Sequence, residues 1–305
     1  MRQRALMPRA KSNGIELEYD TFGKPDDPAL VLIQGFGAQM TGWDEGFCRL
    51  LADEGFHVIR FDNRDVGLSS RITDGPAPDA AEATAGDHST APYTGDDMAD
   101  DTAGLLDALG IPAAHVAGAS MGGMIAQIMA IRHPERVLSL CSYVSASGSA
   151  TTIKPEDNEA RQELTELTTG PRTREEWIEA GVDAMRLISS PKFFDAERAR
   201  RSLAASFDRA NDPDGLAHQR AAMVATPDRT EALGRVTVPT LVINGAKDPV
   251  VPLTAGEATA KAVPGAELLV LDELGHDIPE PLWPQIIDAI ATNARKAGSA
   301  GKASA

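Results

Sequence analysis

Apolar positions in this chain form short runs of changing period, separated by polar turns. Residues 4–35 read as two strands joined at Asn13-Gly14, a strong hairpin dipeptide, and then a third strand after Asp26-Asp27-Pro28. That strand, Ala29-Leu30-Val31-Leu32-Ile33-Gln34, is apolar almost throughout, as a strand buried on both faces is. It runs into a small-residue loop, Gly35-Phe36-Gly37-Ala38. The pattern then predicts a helix from Trp43 to Glu54, a strand over residues 56–61, and a polar turn from Asp62 to Ser69. Residues 72–94 have no period and read as a long loop. A helix from about Thr94 to Leu109, apolar at Met98, Leu105, Leu106 and Leu109, leads into a strand over 114–118. Beyond Ser120 come an apolar helical run, Met124–Ile131, and a strand, Val137–Val144.

The alternation of strand and helix then stops. Residues 149–235 carry helical patterns interrupted by Gly and Pro; strand character returns at 239–244 and 267–271, and a last helix covers 283–296. Alternating elements of this kind specify an α/β fold, a mostly parallel sheet with helices on both faces. The expected division is a core of residues 1–148 and 236–296, an inserted helical cap over 149–235, and a disordered tail at 297–305. A cap in that position sits above the strand ends, where such sheets bind ligands. No internal repeat is present.

Composition narrows the range of partners. The chain has 305 residues, and 45 acidic against 29 basic residues leave a net charge of −16. So acidic a protein lacks the electrostatic footprint of a nucleic-acid or anionic-membrane binder. The two cysteines, Cys48 and Cys141, fall in apolar patterns and fit neither a disulfide framework nor a zinc spacing, so they read as buried thiols. Residues 1–8 lack the apolar run of a signal peptide, and no apolar segment reaches membrane-spanning length. The expectation is a cytoplasmic protein acting on a small molecule, of undetermined oligomeric state.

The candidate chemistry centres on Gly118-Ala119-Ser120-Met121-Gly122, which lies between a strand and a helix. A turn this sharp strains the serine backbone, needs small neighbours, and lifts the hydroxyl clear above a helix N-terminus. A serine nucleophile needs a base, usually histidine. Of the six histidines, His57 and His115 start or lie in apolar strands, His133 ends a helix, His88 lies in the long loop and His218 in the cap. His276, in Glu273-Leu274-Gly275-His276-Asp277, follows a strand on the carboxyl edge of the sheet and fits the order Ser…Asp…His. The carboxylate partner is assigned to Asp248, after the strand at 239–244; the competitor is Asp277, but a sequence neighbour rarely reaches the ring. Backbone N–H groups of Met121 and Phe36 are the candidate oxyanion donors. Asp62-Asn63-Arg64-Asp65 reads as a braced turn rather than a metal or phosphate site. Trp43, Trp177, Phe193 and Phe194 fit either pocket lining or packing, and none is assigned to the site.

With these residues assembled, the chain resembles the α/β-hydrolase family over roughly residues 12–296. Three stretches are similar to the branch of aclacinomycin methylesterase and related carboxylesterases: Gly35-Phe36-Gly37-Ala38-Gln39-Met40 with Trp43, Val58–Ser69, and Gly118–Gly123. The resemblance implies Ser120 as nucleophile, Asp248 as acid, His276 as base, Phe36 and Met121 as oxyanion hole, a helical cap, and no cofactor or metal. Many members of the wider superfamily carry histidine where this chain has Gln34; the named branch also lacks it. The activity implied is hydrolysis of small to medium apolar or aromatic esters, methyl esters among them. Carbon–carbon bond hydrolysis or perhydrolysis on the same triad, and non-catalytic ligand binding, are the alternatives.

Overall fold

The hairpin at Asn13-Gly14 sets the first edge of the sheet. Both residues take left-handed backbone angles, φ 47° and 80°, and join β1 (Arg9–Ser12) to β2 (Ile15–Phe22) with Ser12 opposite Ile15. In the computed structural model, residues 7–73, 91–148, 163–164, 167 and 173–300 are described. The remaining strands among them are β3 (Ala29–Ile33), β4 (His57–Phe61), β5 (Ala114–Ala119), β6 (Val137–Tyr143), β7 (Thr240–Gly245) and β8 (Glu267–Leu271). They form one sheet in the order β1-β2-β4-β3-β5-β6-β7-β8. β1 and β2 pair antiparallel, as do β2 and β4; every later pairing is parallel. The carboxyl ends of β3 through β8 therefore lie on one edge, where Gln34, Ser120, Asp248 and His276 follow their strands. This is the α/β-hydrolase architecture expected from the sequence.

Side-chain alternation divides the core between the two faces. In β3, Ala29, Val31 and Ile33 join one cluster, while Leu30 and Leu32 join the other. The first cluster packs α2 (Gly95–Ala108) and α3 (Met121–Arg132) on the sheet, through Met98, Leu105, Leu106, Ile125 and Met129. The second packs α1 (Glu45–Asp53) and the C-terminal helix through Phe47, Leu51, Trp283, Ile286, Ile287 and Ile290. Those last four sit at helical spacing on one stripe. α3 instead is buried on nearly every side, as a helix set between sheet and insertion must be.

The insertion between β6 and β7 carries α4 (Arg174–Ile188), α5 (Ala196–Arg209), α6 (Pro213–Ala225) and the one-turn α7 (Thr230–Leu233). Capping boxes start α2 at Thr94 and α4 at Thr173. After it come α8 (Leu253–Ala262) and α9 (Trp283–Ala300).

Two boundaries differ from the sequence reading. α1 starts at Glu45, because the Asp44 side chain accepts from the Gly46 N–H at 2.7 Å and caps the helix there. Trp43 is left outside the helix and buried in the core, stacked on Phe47 with ring centroids 5.7 Å apart. α9 continues past residue 296 to Ala300, so the expected tail is helical over its first four residues. The run is 297–300, Ala-Gly-Ser-Ala; small residues do not end a helix already paid out from a packed stripe upstream. The loop expected over 72–94 is described at its ends only; residues 74–90, with His88, lie outside the described residues, as do 301–305 and most of 149–172.

Cys48 and Cys141 are free and buried, and burial pushes both thiols up to about 12. His115 lies in β5, its Nδ1 2.9 Å from Ser139 Oγ and its ring edge-on to Phe56. Burial lowers it from 6.5 to about 4, so the folded state keeps it neutral while the unfolded chain takes up a proton below 6.5. Its contribution is full above pH 6.5 and lost as pH falls toward 4. Over that window wild type should lose on the order of 2–3 kcal/mol through this residue. Urea denaturation of His115→Gln at stepped pH should show a correspondingly flatter slope; identical slopes would refute the assignment.

Candidate active site

Ser120 sits on the turn from β5 to α3 with φ 55° and ψ −118°, a conformation that costs an L-residue about 1–3 kcal/mol. Its surroundings hold it there. The Ser120 N–H donates to the Tyr143 carbonyl at 2.9 Å. The Ser120 carbonyl accepts from Ser145 Oγ at 2.7 Å and from the Gly123 N–H at 2.9 Å. The neighbouring glycines are required by space. A Cβ on Gly118 would lie 2.0 Å from the Gly122 carbonyl oxygen, and one on Gly122 would lie 2.2 Å from that of Ile33. Helix α3 can thus press its first turn against the end of β3.

The structure brings Ser120, His276 and Asp248 together from three strand ends. His276 Nε2 lies 3.0 Å from Ser120 Oγ, and its Nδ1 lies 2.7 Å from Asp248 Oδ2. The other oxygen of Asp248 accepts from the N–H groups of Val250 and Val251, both at 2.8 Å, so the carboxylate is fixed in aim. With Oδ2 as acceptor, His276 is set to carry its proton on Nδ1 and present Nε2 to the serine. The His276 N–H donates to the Ile188 carbonyl at 2.7 Å, which ties the loop to the end of α4.

Asp277 points elsewhere. Its Oδ1 accepts from the N–H and hydroxyl of Ser190, at 2.9 and 2.6 Å, and its carbonyl accepts from the Tyr143 hydroxyl at 2.6 Å. Burial raises its carboxyl despite those bonds. Ser190 Oγ also accepts from the Gly275 N–H at 2.9 Å. Asp277 therefore clamps the histidine loop to the insertion and leaves the imidazole to Asp248.

Phe36 lies in the loop after β3. A Cβ on Gly35 would fall 3.2 Å from Ser120 Cβ and 3.8 Å from its Oγ, so this loop runs directly beside the serine. Met121 is the first residue of α3, with its N–H at the helix N-terminus. The crevice behind Met121, between Met98, Ile125, Ile128 and Met223, encloses only about 10 Å³. That is space for a single water at most, so the apolar packing there is closed.

The turn Asp62-Asn63-Arg64-Asp65 is structural in every bond it makes. Asp62 accepts from the N–H groups of Met40 and Leu68 at 2.7 and 2.8 Å, and from Arg209 of α5 at 2.6 Å. Arg64 pairs with Asp101 at 2.6 Å. Asp65 Oδ2 lies 3.1 Å from His218 Nδ1 on α6. Among the described residues no group of three or more His, Cys, Asp or Glu could hold a metal ion. Trp177 packs on Phe207 within the insertion, with ring centroids 5.4 Å apart.

Arg209, Gln219, Ser190 and Ser145 are the residues around the site that sequence reasoning missed. Each is an ordinary polar residue in a helical or loop pattern, and its partner lies far away in the chain. Gln34 was visible as a departure from histidine. Its side chain accepts from the Gly35 N–H at 2.8 Å.

A family model described as alpha/beta hydrolase fold matches residues 28–280. The chain is similar to rhodomycin D methylesterase DnrP of Streptomyces peucetius, with 30% identity over 305 residues, 93% of this chain and 96% of that protein. It is also similar to 3-oxoadipate enol-lactonase 2 of Acinetobacter baylyi, 28% identical over 261 residues and 85% of each chain. The crystal structure of the enol-lactonase from Burkholderia xenovorans LB400 superposes with a TM-score of 0.71 at 25% identity, covering 96% of this chain and all of that one. The likeness to the methylesterase branch, first visible in three motifs, thus extends over nearly the whole chain.

The space around the elbow generates a test. Gly122→Ala sets a methyl group against the Ile33 carbonyl, where neither backbone can retreat. We expect a loss of about 2–4 kcal/mol in urea denaturation; a change under about 0.5 kcal/mol would mean that the turn is not packed as described.

Proposed function

This chain belongs to the α/β-hydrolase family of enzymes, and we propose that it hydrolyses carboxylic esters through an acyl-enzyme on Ser120. The observation that carries this reading is the unbroken hydrogen-bonded series Ser120 Oγ, His276 Nε2, His276 Nδ1, Asp248 Oδ2, at 3.0 and 2.7 Å. In the proposed cycle His276 takes the Ser120 proton as Oγ attacks the ester carbonyl carbon. Negative charge moves to the carbonyl oxygen, which receives the Phe36 and Met121 N–H groups and the positive end of α3. Asp248 stabilises the imidazolium that forms and does not itself take the proton. His276 then protonates the departing alkoxide. A water, deprotonated by the same nitrogen, attacks the acyl-enzyme and releases the acid and the free serine.

The inserted helices act as a cap over this site, with residues 149–235 as the proposed extent, and the reading needs no cofactor. The substrate class is small to medium apolar or aromatic esters. The resemblance to the methylesterase branch favours a methyl ester on an aromatic polyketide, and the likeness to an enol-lactonase favours the same acyl chemistry on a cyclic ester. A cytoplasmic location belongs to this reading; no helix among the described residues is long and apolar enough to cross a membrane.

Hydrolysis of p-nitrophenyl esters from acetate to decanoate, wild type beside Ser120→Ala, tests the proposal. We expect the variant to lose at least about 10³-fold in kcat, with the wild-type chain-length optimum reporting pocket size. Full activity in Ser120→Ala would refute the nucleophile. Wild-type turnover of a vinylogous diketone but of no ester would move the reaction to carbon–carbon bond hydrolysis, and turnover of neither to ligand binding.

Asp248→Asn gives a second check. It would retain a group of the same shape against His276 but permit the wrong tautomer, and we expect kcat to fall by about 10³–10⁴-fold with KM little changed. Less than a tenfold loss would remove Asp248 from the proposed triad.

A further inference from the structure

The amides of the loop after β3 are almost all taken. The Gly35 N–H donates to Gln34 Oε1 at 2.8 Å, the Gly37 N–H to Gln219 Oε1 at 2.8 Å, and the Ala38 N–H to the Gly35 carbonyl at 3.3 Å. The Gln34 carbonyl accepts from Asn63 Nδ2 at 3.0 Å. Among the described residues the Phe36 N–H alone, of the four amides from Gly35 to Ala38, meets no acceptor. Phe36, Gly37 and Ala38 are half-buried, and an amide withdrawn from water without an acceptor is costly to leave idle. Here the peptide planes on either side of the free one are each pinned by a glutamine side chain.

One of those glutamines comes from the cap. Gln219 lies on α6, is 0% exposed, and spends both ends of its carboxamide: Oε1 on the Gly37 N–H and Nε2 on the Arg64 carbonyl, each at 2.8 Å. An N–H cannot accept and a carbonyl cannot donate, so only one orientation of the amide satisfies both partners. Its neighbours on the same helix face bear on the same loop. A Cβ on Gly37, whose φ is +66°, would lie 2.5 Å from Leu216 Cδ2. The Arg220 guanidinium stacks 5.6 Å over the Phe36 ring. Residues 216, 219 and 220 share one face at i, i+3 and i+4.

We propose that Gln219 is a positioning residue that completes the oxyanion hole from the cap: by holding the Gly37 amide it fixes the Phe36 N–H toward Ser120. The inference rests on the ester-hydrolase reading and adds to it a coupling. Docking of α6 orients a donor that acts on the transition state, so the hole is fully formed only with the cap seated. Without Gln219 the Phe36–Gly37 peptide loses its side-chain anchor, and the Gly35–Phe36 peptide, joined to it through the Phe36 Cα, can tilt so that the Phe36 N–H loses its aim without leaving the site.

Gln219→Met tests this, since methionine matches the length and keeps helix propensity but offers neither bond. Per active site counted by the p-nitrophenol burst, we expect kcat to fall about 10–100-fold, less than the 10²–10³-fold of a deleted donor, with KM within about threefold. The affinity for a trifluoromethyl ketone, which forms a tetrahedral oxyanion adduct, should fall in parallel with kcat. In a second measurement, hydrogen exchange at the Gly37 amide should rise in the variant while the amides of β3 remain protected. A merely structural role would lower Tm and the count of active sites, leaving kcat per site and inhibitor affinity unchanged, and that result would overturn the proposal. So would unchanged exchange at Gly37. If wild type hydrolyses no ester, the functional reading fails by itself, and exchange at Gly37 still decides whether Gln219 holds the loop.

Discussion

The left-handed backbone of Ser120 is the constraint on which the rest of this structure depends. A residue at φ 55° is stable only where its surroundings leave it no alternative. Here the carbonyl of Tyr143 holds its amide and Ser145 its carbonyl, while α3 is pressed against the end of β3 through Gly122. That pressure requires β3 and β5 to be neighbours, and the parallel order of the sheet supplies this adjacency. The same adjacency puts the loop after β3 beside the serine. Strain at one residue, the glycines about it, and the order of the central strands are therefore one condition.

A second layer of organisation is polar and joins the helical insertion to the core. Asp62 meets Arg209, Asp65 meets His218, Gln219 bridges Gly37 and Arg64, and the Ser190–Asp277 bond closes on the histidine loop. Apolar contacts of Ala222, Met223 and Leu233 hold the insertion on the core as well, with less geometric demand. Buried hydrogen bonds are costly to leave unmade, so the polar layer restricts the insertion to one seating. That seating touches the two loops that face Ser120, the one after β3 and the one bearing His276. Residues read as a braced turn, Asp62 to Asp65, turn out to be the anchor for the insertion as well as a brace for the core.

Local chemistry made some of this legible and hid the rest. The hairpin at Asn13-Gly14, the apolar run of β3 and the stripe of α9 announced themselves because each depends on a few adjacent residues. At the start of α1, Trp43 suits a helix by pattern, whereas the Asp44 cap decides the boundary. The end of α9 lies beyond the expected one because small residues weaken a helix without ending it. At the site, the Gly-x-Ser-x-Gly turn and the strand-end positions of Asp248 and His276 were readable. The departure at Gln34 was visible too, but its bond to the Gly35 amide was not.

The sequence by itself determined the α/β alternation, the parallel sheet with the candidate residues on one edge, and which serine, histidine and aspartate could face each other there. These follow from period, turn chemistry and chain order, which are properties of neighbouring residues. Tertiary structure alone decided that Asp277 serves Ser190 while Asp248 serves His276, and that Gln219 reaches across 182 positions to the Gly37 amide. Such pairings link residues remote in sequence. Their partners are selected by burial, because a polar group removed from water must take whichever complementary group the fold brings within reach.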